Sequence, residues 1–484
     1  MKKVLFVCCF FLITVKVFGQ QFSQYNTGTL YDSFENPSQR AFIPDTSRMF
    51  AFNFFIPNFS ADLFVTGNAQ AALKSRIFSN YYNTADLQIG KGSYNHGDFS
   101  ANAYSIMFKV FTSLNGDQEI GFFTNTKAEG RGVVSDESLA IFNGGSVFPG
   151  NGYNNIFNDN YYYQAYHQIG FTYREQVTKK LAIGIKLSAL SGISYKKIVI
   201  NQSHIAFDKA NDQATVYLQG TNYTDGLPDG DSNSAKVLPT FLNPGAAISL
   251  GASYRDADGF KWQWNVKDLG FIHWNRASTV NHFSGDTLIT GLSTPQREKN
   301  ITTALSHITS FGESGSGFTT NTNGLLEVSV NKDYWLDYDQ QFRFSPTLIA
   351  SKELFYAGFT AALVAPVQYQ NYTISLTSSY NDLKLLTFGG QFMVKSTSAE
   401  FFIGSEKLYQ SASLFRTALR GNTGNQNQFT TTPGSYSGAD IFLGVSFKFG
   451  PTIEHPMNSS TIPNGDKGFL GRLYDKWFKK DKNY

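Results

Sequence analysis

The chain has 484 residues, of which only 16% are charged and 16% are aromatic, whereas soluble globular domains carry about 25% charged residues. Its net charge of +3 comes from Lys2, Lys3 and Lys16; without them the 40 basic residues fall to 37, level with the 37 acidic ones. A neutral chain excludes recognition of nucleic acid through a broad basic surface. Its two cysteines, Cys8 and Cys9, share that first segment, so the remainder can form neither a disulfide nor a thiolate metal site.

Residues 1–19 have the composition of a secretory signal peptide. Lys2 and Lys3 precede the apolar run from Val4 to Val15, and Val17-Phe18-Gly19 offers a cleavage point before Gln20. Lys16 interrupts the run before it reaches the roughly 18 residues that a membrane span needs. Both cysteines lie inside the apolar run and not at the cleavage point, so no lipid anchor is expected there.

Residues 20–47 form the next unit. The stretch "NTGTLYDSFENPSQRAFIPD" (26–45) mixes turn formers with Leu30, Tyr31, Phe34, Phe42 and Ile43. It has neither helical nor strand periodicity throughout. Backbone outside a sheet can lie at membrane depth only where protein or water surrounds it. Ahead of a barrel, this composition predicts a compact hatch in the lumen; the alternative is a loose periplasmic leader.

From residue 48 onward the pattern alternates with period two. In "YTISLTSSY", Tyr372, Ile374, Leu376 and Tyr380 fall on one face, and Thr373, Ser375, Thr377 and Ser379 on the other. Similar runs predict about 14 strands near 48–57, 101–112, 117–126, 163–174, 180–190, 246–254 and 261–274, then 322–331, 341–350, 354–365, 370–380, 386–395, 399–407 and 435–449. No later stretch offers about 18 consecutive apolar residues, so helical spans are not expected. A soluble sandwich also alternates, but these runs last about 9–11 residues, the length of a tilted membrane strand. Lys109, Lys186, Arg343 and Lys395 stand on the polar faces in mid-pattern, which suits a polar lumen. The expected fold is all-β, a transmembrane antiparallel β-barrel over residues 48–450.

The connections agree with that count. Short ones at 113–116, 177–180 and 255–260 fall at one end, and long ones at 127–162, 191–245, 275–321 and 408–434 at the other. Outer-membrane barrels place short turns in the periplasm and long loops outside. In the second long connection Asp225, Asp229 and Asp231 could gather around a hard cation, but without EF-hand spacing a solvated turn is the better reading. In the third, "TPQREKNITTALSHITSF" (294–311) has helical spacing at Ile301, Ala304, Leu305 and Ile308. It suits packing against neighbouring loops better than a lid over the mouth, and His307 reads as a surface residue. The histidines form no ligand pair. No nucleophile elbow, phosphate-binding loop or dinucleotide fingerprint occurs, so neither catalytic residues nor a cofactor are expected.

After the last strand, residues 451–466 read as a linker. Residues 467–484 read as a basic amphipathic helix with Leu470, Leu473, Trp477 and Phe478 on one broad face. Such a helix lies at a membrane interface or docks on a periplasmic or envelope protein partner or the barrel mouth.

Two stretches carry a resemblance. "ENPSQRAFIPD" resembles the N-terminal Asn-Pro-Ala segment of the long-chain fatty-acid transporter (FadL) family, which includes the PorV-like outer-membrane proteins. Asn36 and Pro37 match it, and Ser38 replaces the alanine. "KWQWNVKDLGFIHW" (261–274) resembles the Asp-Leu-Gly strand ends of such relatives. The overall pattern is similar to uncharacterised barrels of bacteria with type IX secretion. The resemblance implies an N-terminal hatch that gates a hydrophobic ligand path, with Phe34, Asn36, Pro37 and Phe42 as gating residues. The expected function is binding or passage of small hydrophobic molecules across the outer membrane. The alternatives are a structural or accessory part of an outer-membrane assembly and, last, a barrel lipase.

Overall fold

The computed structural model describes residues 22–41, 48–112, 116–225, 238–311, 315–420, 436–452 and 467–478. Fourteen staves form one closed antiparallel sheet. They are β1 (Arg48–Phe52 and Asn58–Thr66), β2 (Tyr94–Phe111), β3 (Gln118–Ser135), β4 (Asn160–Gln176), β5 (Leu181–Asp208), β6 (Pro244–Arg255) and β7 (Phe260–Trp274). The second half comprises β8 (Phe318–Asn321 and Leu325–Lys332), β9 (Phe342–Phe344 and Thr347–Glu353), β10 (Phe359–Tyr369), β11 (Tyr372–Asn381), β12 (Leu386–Lys395), β13 (Ala399–Ser405) and β14 (Tyr436–Thr452). Each stave pairs with its neighbour in sequence, and β14 returns to β1 through Phe50↔Phe449 and Leu63↔Ala439, so the sheet has no free edge. The helices are α1 (Leu30–Glu35), α2 (Gln70–Ser79), α3 (Asp136–Ala140), α4 (Arg297–Ser310), α5 (Leu408–Arg420) and α6 (Phe469–Phe478).

The side-chain pattern is inverted relative to a soluble protein. On β11, Ile374 and Leu376 are 60% and 64% exposed, whereas Ser375 and Thr377 are 0% and 3% exposed. On β12, Leu386, Phe388 and Phe392 point outward and Thr387, Gln391 and Met393 inward; on β7, Trp262 and Trp264 point outward and Gln263 and Asn265 inward. An apolar exterior around a polar interior is unfavourable in water and favourable in a bilayer. Every second residue of the staves therefore forms a hydrocarbon-facing belt.

The four long connections begin and end at one rim, joined there by a fifth at 67–93 and by the short turns 354–358 and 382–385; the other short turns lie at the opposite rim. Two differences from the sequence reading have physical causes. First, the expected strand 48–57 stops at Phe52 and resumes at Asn58. Asn53 leaves the sheet and uses its amide as a bracket, donating to the carbonyls of Ile56 (2.9 Å) and Ser105 (3.1 Å) and accepting from the Met107 N–H (3.0 Å). The following Phe54 and Phe55 adopt φ of +48° and +62° and project outward. Second, the connections 191–245 and 275–321 hold a sheet beyond the barrel. The upper half of β5 pairs with a strand at Gln213–Thr224, which pairs with another at Thr279–Thr290. Ile301, Ala304 and Ile308 of α4 pack into its core with Val216, Leu218, Phe283 and Ile289, while His307 stays exposed. The expected linker at 451–466 also begins late, because β14 extends through Thr452.

Candidate functional site

The segment 22–41 lies inside the barrel. A turn of 3-10 helix (Phe22–Gln24) leads to Asn26 and Gly28, both at φ +60°, which fold the chain back before α1. Thr29 caps α1 by accepting the Asp32 N–H at 3.1 Å, and the Asp32 carboxylate accepts the Gly28 N–H at 3.0 Å. After the helix, the Asn36 amide donates to Asp32 Oδ1 at 2.6 Å. This one-and-a-half-turn helix is too short to be stable alone; the lumen wall supplies what it lacks.

That supply is polar as well as apolar. Phe34 packs on Phe123 (5.5 Å between ring centroids) and Tyr104 (6.1 Å), and Tyr31 packs edge-on to Tyr104 and Phe402. Four cations reach in from four different staves. Lys109 donates to the Ser33 carbonyl (2.9 Å), Lys395 to those of Thr27 (2.7 Å) and Gly28 (2.6 Å), Arg174 to that of Ser38 (3.0 Å), and Lys261 to Gln39 Oε1 (2.6 Å). Hydrogen bonds to a charged group contribute about 1.5–3 kcal/mol each, so these grips matter to a peptide that cannot satisfy its own carbonyls. Lys109 and Lys395, which sequence alternation placed in a polar lumen, thus hold the hatch. Lys186 lies beside Asp268 (3.5 Å), and Arg343 donates to Gln368 (2.5 Å).

The Asn36-Pro37 pair sits where hatch and wall come closest. Asn265 of β7 donates to Asn36 Oδ1 at 3.2 Å. The Pro37 carbonyl oxygen stands 2.0 Å from where a Cβ on Gly184 of β5 would lie, so only glycine leaves the room it occupies. Phe34, Asn36 and Pro37 are therefore brought together with the wall; Phe42 lies outside the described residues. The Asp-Leu-Gly motif falls in mid-strand and not at a strand end. Asp268 forms a bulge of β7 at φ +46°, where its buried carboxylate pairs with Lys127 and accepts Gln168 Nε2 at 3.0 Å.

Between the hatch and the long-loop rim lies a vestibule of about 510 Å³. Phe22, Tyr25, Tyr31 and Glu35 of the hatch contribute to its lining. Tyr162 and Tyr356 stack at 4.8 Å on its wall, and the Arg131 guanidinium lies 5.8 Å from the Tyr356 ring centre while it pairs with Asp98 and Glu353. Near the start of the hatch, Glu406 Oε1 accepts both the Ser23 N–H (2.9 Å) and the Ser23 hydroxyl (2.7 Å). Glu406, Tyr162 and Tyr356 escaped the sequence reading. Glu406 could have been found by parity, since Glu400 and Phe402 on the same face of that strand also point inward.

The remaining sequence candidates do not join this site. Asp225 serves its own loop, accepting the Ser194 hydroxyl (2.7 Å) and the Tyr195 N–H (2.6 Å); Asp229 and Asp231 lie outside the described residues. Among the described residues no group of three or more His, Cys, Asp or Glu side chains is arranged to hold a metal ion. Helix α6 sits at the short-turn rim, where the Glu175 carboxylate accepts the N–H groups of Leu470 (2.8 Å) and Gly471 (2.9 Å) at its N-terminus. Leu470 is buried and Leu473 half-buried, whereas Trp477 and Phe478 are exposed.

Residues 41–406 match a family described only as a family of unknown function (DUF5723). No curated protein matches the chain. Among solved structures, it is similar to the toluene transporter TbuX of Ralstonia pickettii, with 10% identity over 90% of this chain and 100% of that one and a TM-score of 0.43. It is also similar to a FadL homologue of Pseudomonas aeruginosa (10% identity, 88% and 95% covered, TM-score 0.40). The toluene transporter TodX of Pseudomonas putida resembles it too (9% identity, 87% and 93% covered, TM-score 0.37).

Proposed function

This chain belongs to the DUF5723 family of unknown function, and we propose that it is an outer-membrane barrel that binds small hydrophobic molecules and passes them through a hatch-gated lumen. The observation that carries this reading is the closed lumen itself. Residues 22–41 fill it through non-covalent contacts alone, and a compartment of about 510 Å³ remains on the long-loop side. That volume lies within the roughly 300–1,000 Å³ range of small-molecule sites. Its tyrosines and phenylalanines offer stacking faces. Phe34, Asn36, Pro37 and, by sequence position, Phe42 serve as the gating residues. Residues 1–19 act as the export signal, and the long-loop rim faces outward.

The reading is tested by uptake of the hydrophobic dye N-phenyl-1-naphthylamine into cells with and without the protein. Faster uptake with the protein supports passage. Equal rates, with the barrel shown to be inserted, would remove it.

A second reading rests on α6. A helix clamped to the barrel through Glu175, with Phe469, Trp477 and Phe478 exposed beside Arg472 and Lys476, suits the periplasmic membrane interface. The same face serves an envelope partner if the protein is an accessory of an outer-membrane assembly. Deleting residues 467–484 would leave membrane insertion intact and release that partner.

A further inference from the structure

Stave β13 is short. Its last pair with β14 is Gly404↔Phe442, whereas β14 starts at Tyr436 and β12 at Leu386, both nearer the long-loop rim. Beyond that last pair helix α5 takes the place of the stave. The Ser411 hydroxyl accepts the Asp440 N–H (2.9 Å) and donates to the Asp440 carbonyl (3.2 Å), which closes the edge of β14 that β13 has left. A strand edge at membrane depth needs such partners, because hydrocarbon offers none. On the other side Leu408 covers Gly390 of β12: its Cδ1 lies 2.9 Å from where a Cβ on that glycine would stand.

Gly390 shares the outward face of β12 with Leu386, Phe388 and Phe392, so α5 begins within the hydrocarbon-facing belt. Ile441, outward and exposed, continues that belt on β14. The helix then presents three sectors. Gln410, Ser411, Leu414 and Thr417 are half-buried, and the bonds of Ser411 mark theirs as the sector against the wall. Leu408, Ala412, Phe415 and Leu419 recur at helical spacing and form one exposed stripe, with Phe415 and Leu419 64% and 65% exposed. Tyr409, Ser413 and Arg416 make up a third sector, polar and exposed. A helix lying along a bilayer boundary beside a wall needs this division: one side on protein, one in acyl chains and one among headgroups.

We propose that α5 binds lipid of the leaflet on the long-loop side, with Leu408, Phe415 and Leu419 among its acyl chains and the Arg416 guanidinium on a lipid phosphate. Continuity with the belt selects this occupant, since the stripe starts beside Phe388 and Phe392, which already face hydrocarbon. A guanidinium meets phosphate with paired, charge-assisted bonds, and a tyrosine such as Tyr409 suits the same layer. With the long-loop rim outward, that leaflet is the outer one. Lipid contact at α5 stands apart from solute passage, which dye uptake judges separately.

The test places nitroxide labels on single cysteines of the full-length protein, with Cys8→Ala and Cys9→Ala, in vesicles of phosphatidylethanolamine and phosphatidylglycerol. At Phe415→Cys and Leu419→Cys the label should collide with oxygen, which concentrates in hydrocarbon, more often than with a water-soluble nickel chelate. At Ser413→Cys that order should invert. At Arg416→Cys the label should shorten the phosphorus relaxation of the lipid headgroups. Nickel collisions prevailing at both Phe415→Cys and Leu419→Cys would put the stripe in water and overturn the proposal. Labels there shielded from both reagents would mean that protein covers the stripe, a second copy or another segment of this chain, and would overturn it too. Unchanged phosphorus relaxation would overturn the phosphate contact.

Discussion

Ser23 and Glu406, 383 positions apart in sequence, meet inside the barrel, where one carboxylate oxygen accepts both the backbone N–H and the hydroxyl of the serine. The first turn of the hatch is thereby tied to the outward end of the thirteenth stave.

The hatch should feel the loss of this tie. An environment-sensitive fluorophore placed at Thr27 should report a more exposed hatch in Glu406→Ala than in the unchanged protein, because the Ser23 N–H and hydroxyl lose their shared acceptor. Identical spectra for the two proteins would contradict the assignment.

Lys109 and Glu119 are both fully buried and lie 3.6 Å apart. The lysine also holds the Ser33 carbonyl, and the glutamate accepts the Ala41 N–H at 3.2 Å. Lys109→Met leaves a buried carboxylate without its partner and should lower stability by about 3–5 kcal/mol. Adding Glu119→Gln should recover much of that loss, since the amide oxygen still accepts Ala41. Urea unfolding in lipid vesicles measures both, and a double variant no better than the single one would count against this pairing.

Gly184 offers a steric test of hatch seating. A methyl group there would meet the Pro37 carbonyl, so Gly184→Ala should displace the hatch while the barrel survives. Protease should then cut within residues 22–41, and ion conductance in planar bilayers should rise. Gly97→Ala meets nothing within 4 Å and should leave both unchanged. Equal behaviour of the two variants would mean that Pro37 does not press on β5.

The belt can be probed at Leu376, which points outward from the middle of β11. Leu376→Arg should destabilise the protein in a bilayer by about 2–4 kcal/mol, measured by the same unfolding assay. A change near zero would argue that this face does not meet hydrocarbon.

Much of the barrel was legible because lipid outside and a polar lining inside impose strict alternation, as in Tyr372–Asn381. Legibility failed where that constraint lapses. Residues 94–100 and 127–135 extend β2 and β3 beyond the belt, and there His96, Asp98, Glu129 and Arg131 resemble loop composition. The strand Gln213–Thr224 buries Ala214, Val216 and Leu218 against a helix instead of lipid, so its weak pattern sits between Tyr, Gln and Thr and reads as a connection. In the site, the apolar anchors Tyr31 and Phe34 announced a packed hatch. The vestibule lining did not show, because Glu406, Tyr162 and Tyr356 converge only when distant staves close the cylinder. Phe54 and Phe55 were hidden for another reason: their left-handed backbone depends on the bracket made by Asn53, which nothing in the local pattern signals.

The central claim is that solute passes only when the hatch leaves its seat, and a reversible lock tests it most directly. The Ser23 hydroxyl lies 2.7 Å from that of Thr377 on β11, and the chain's own cysteines are confined to positions 8 and 9. A Ser23→Cys/Thr377→Cys variant should therefore form a disulfide between hatch and wall. Dye uptake by cells carrying the oxidised variant should fall to the level of cells without the protein and return on reduction; uptake that proceeds unchanged with the disulfide closed would contradict the account.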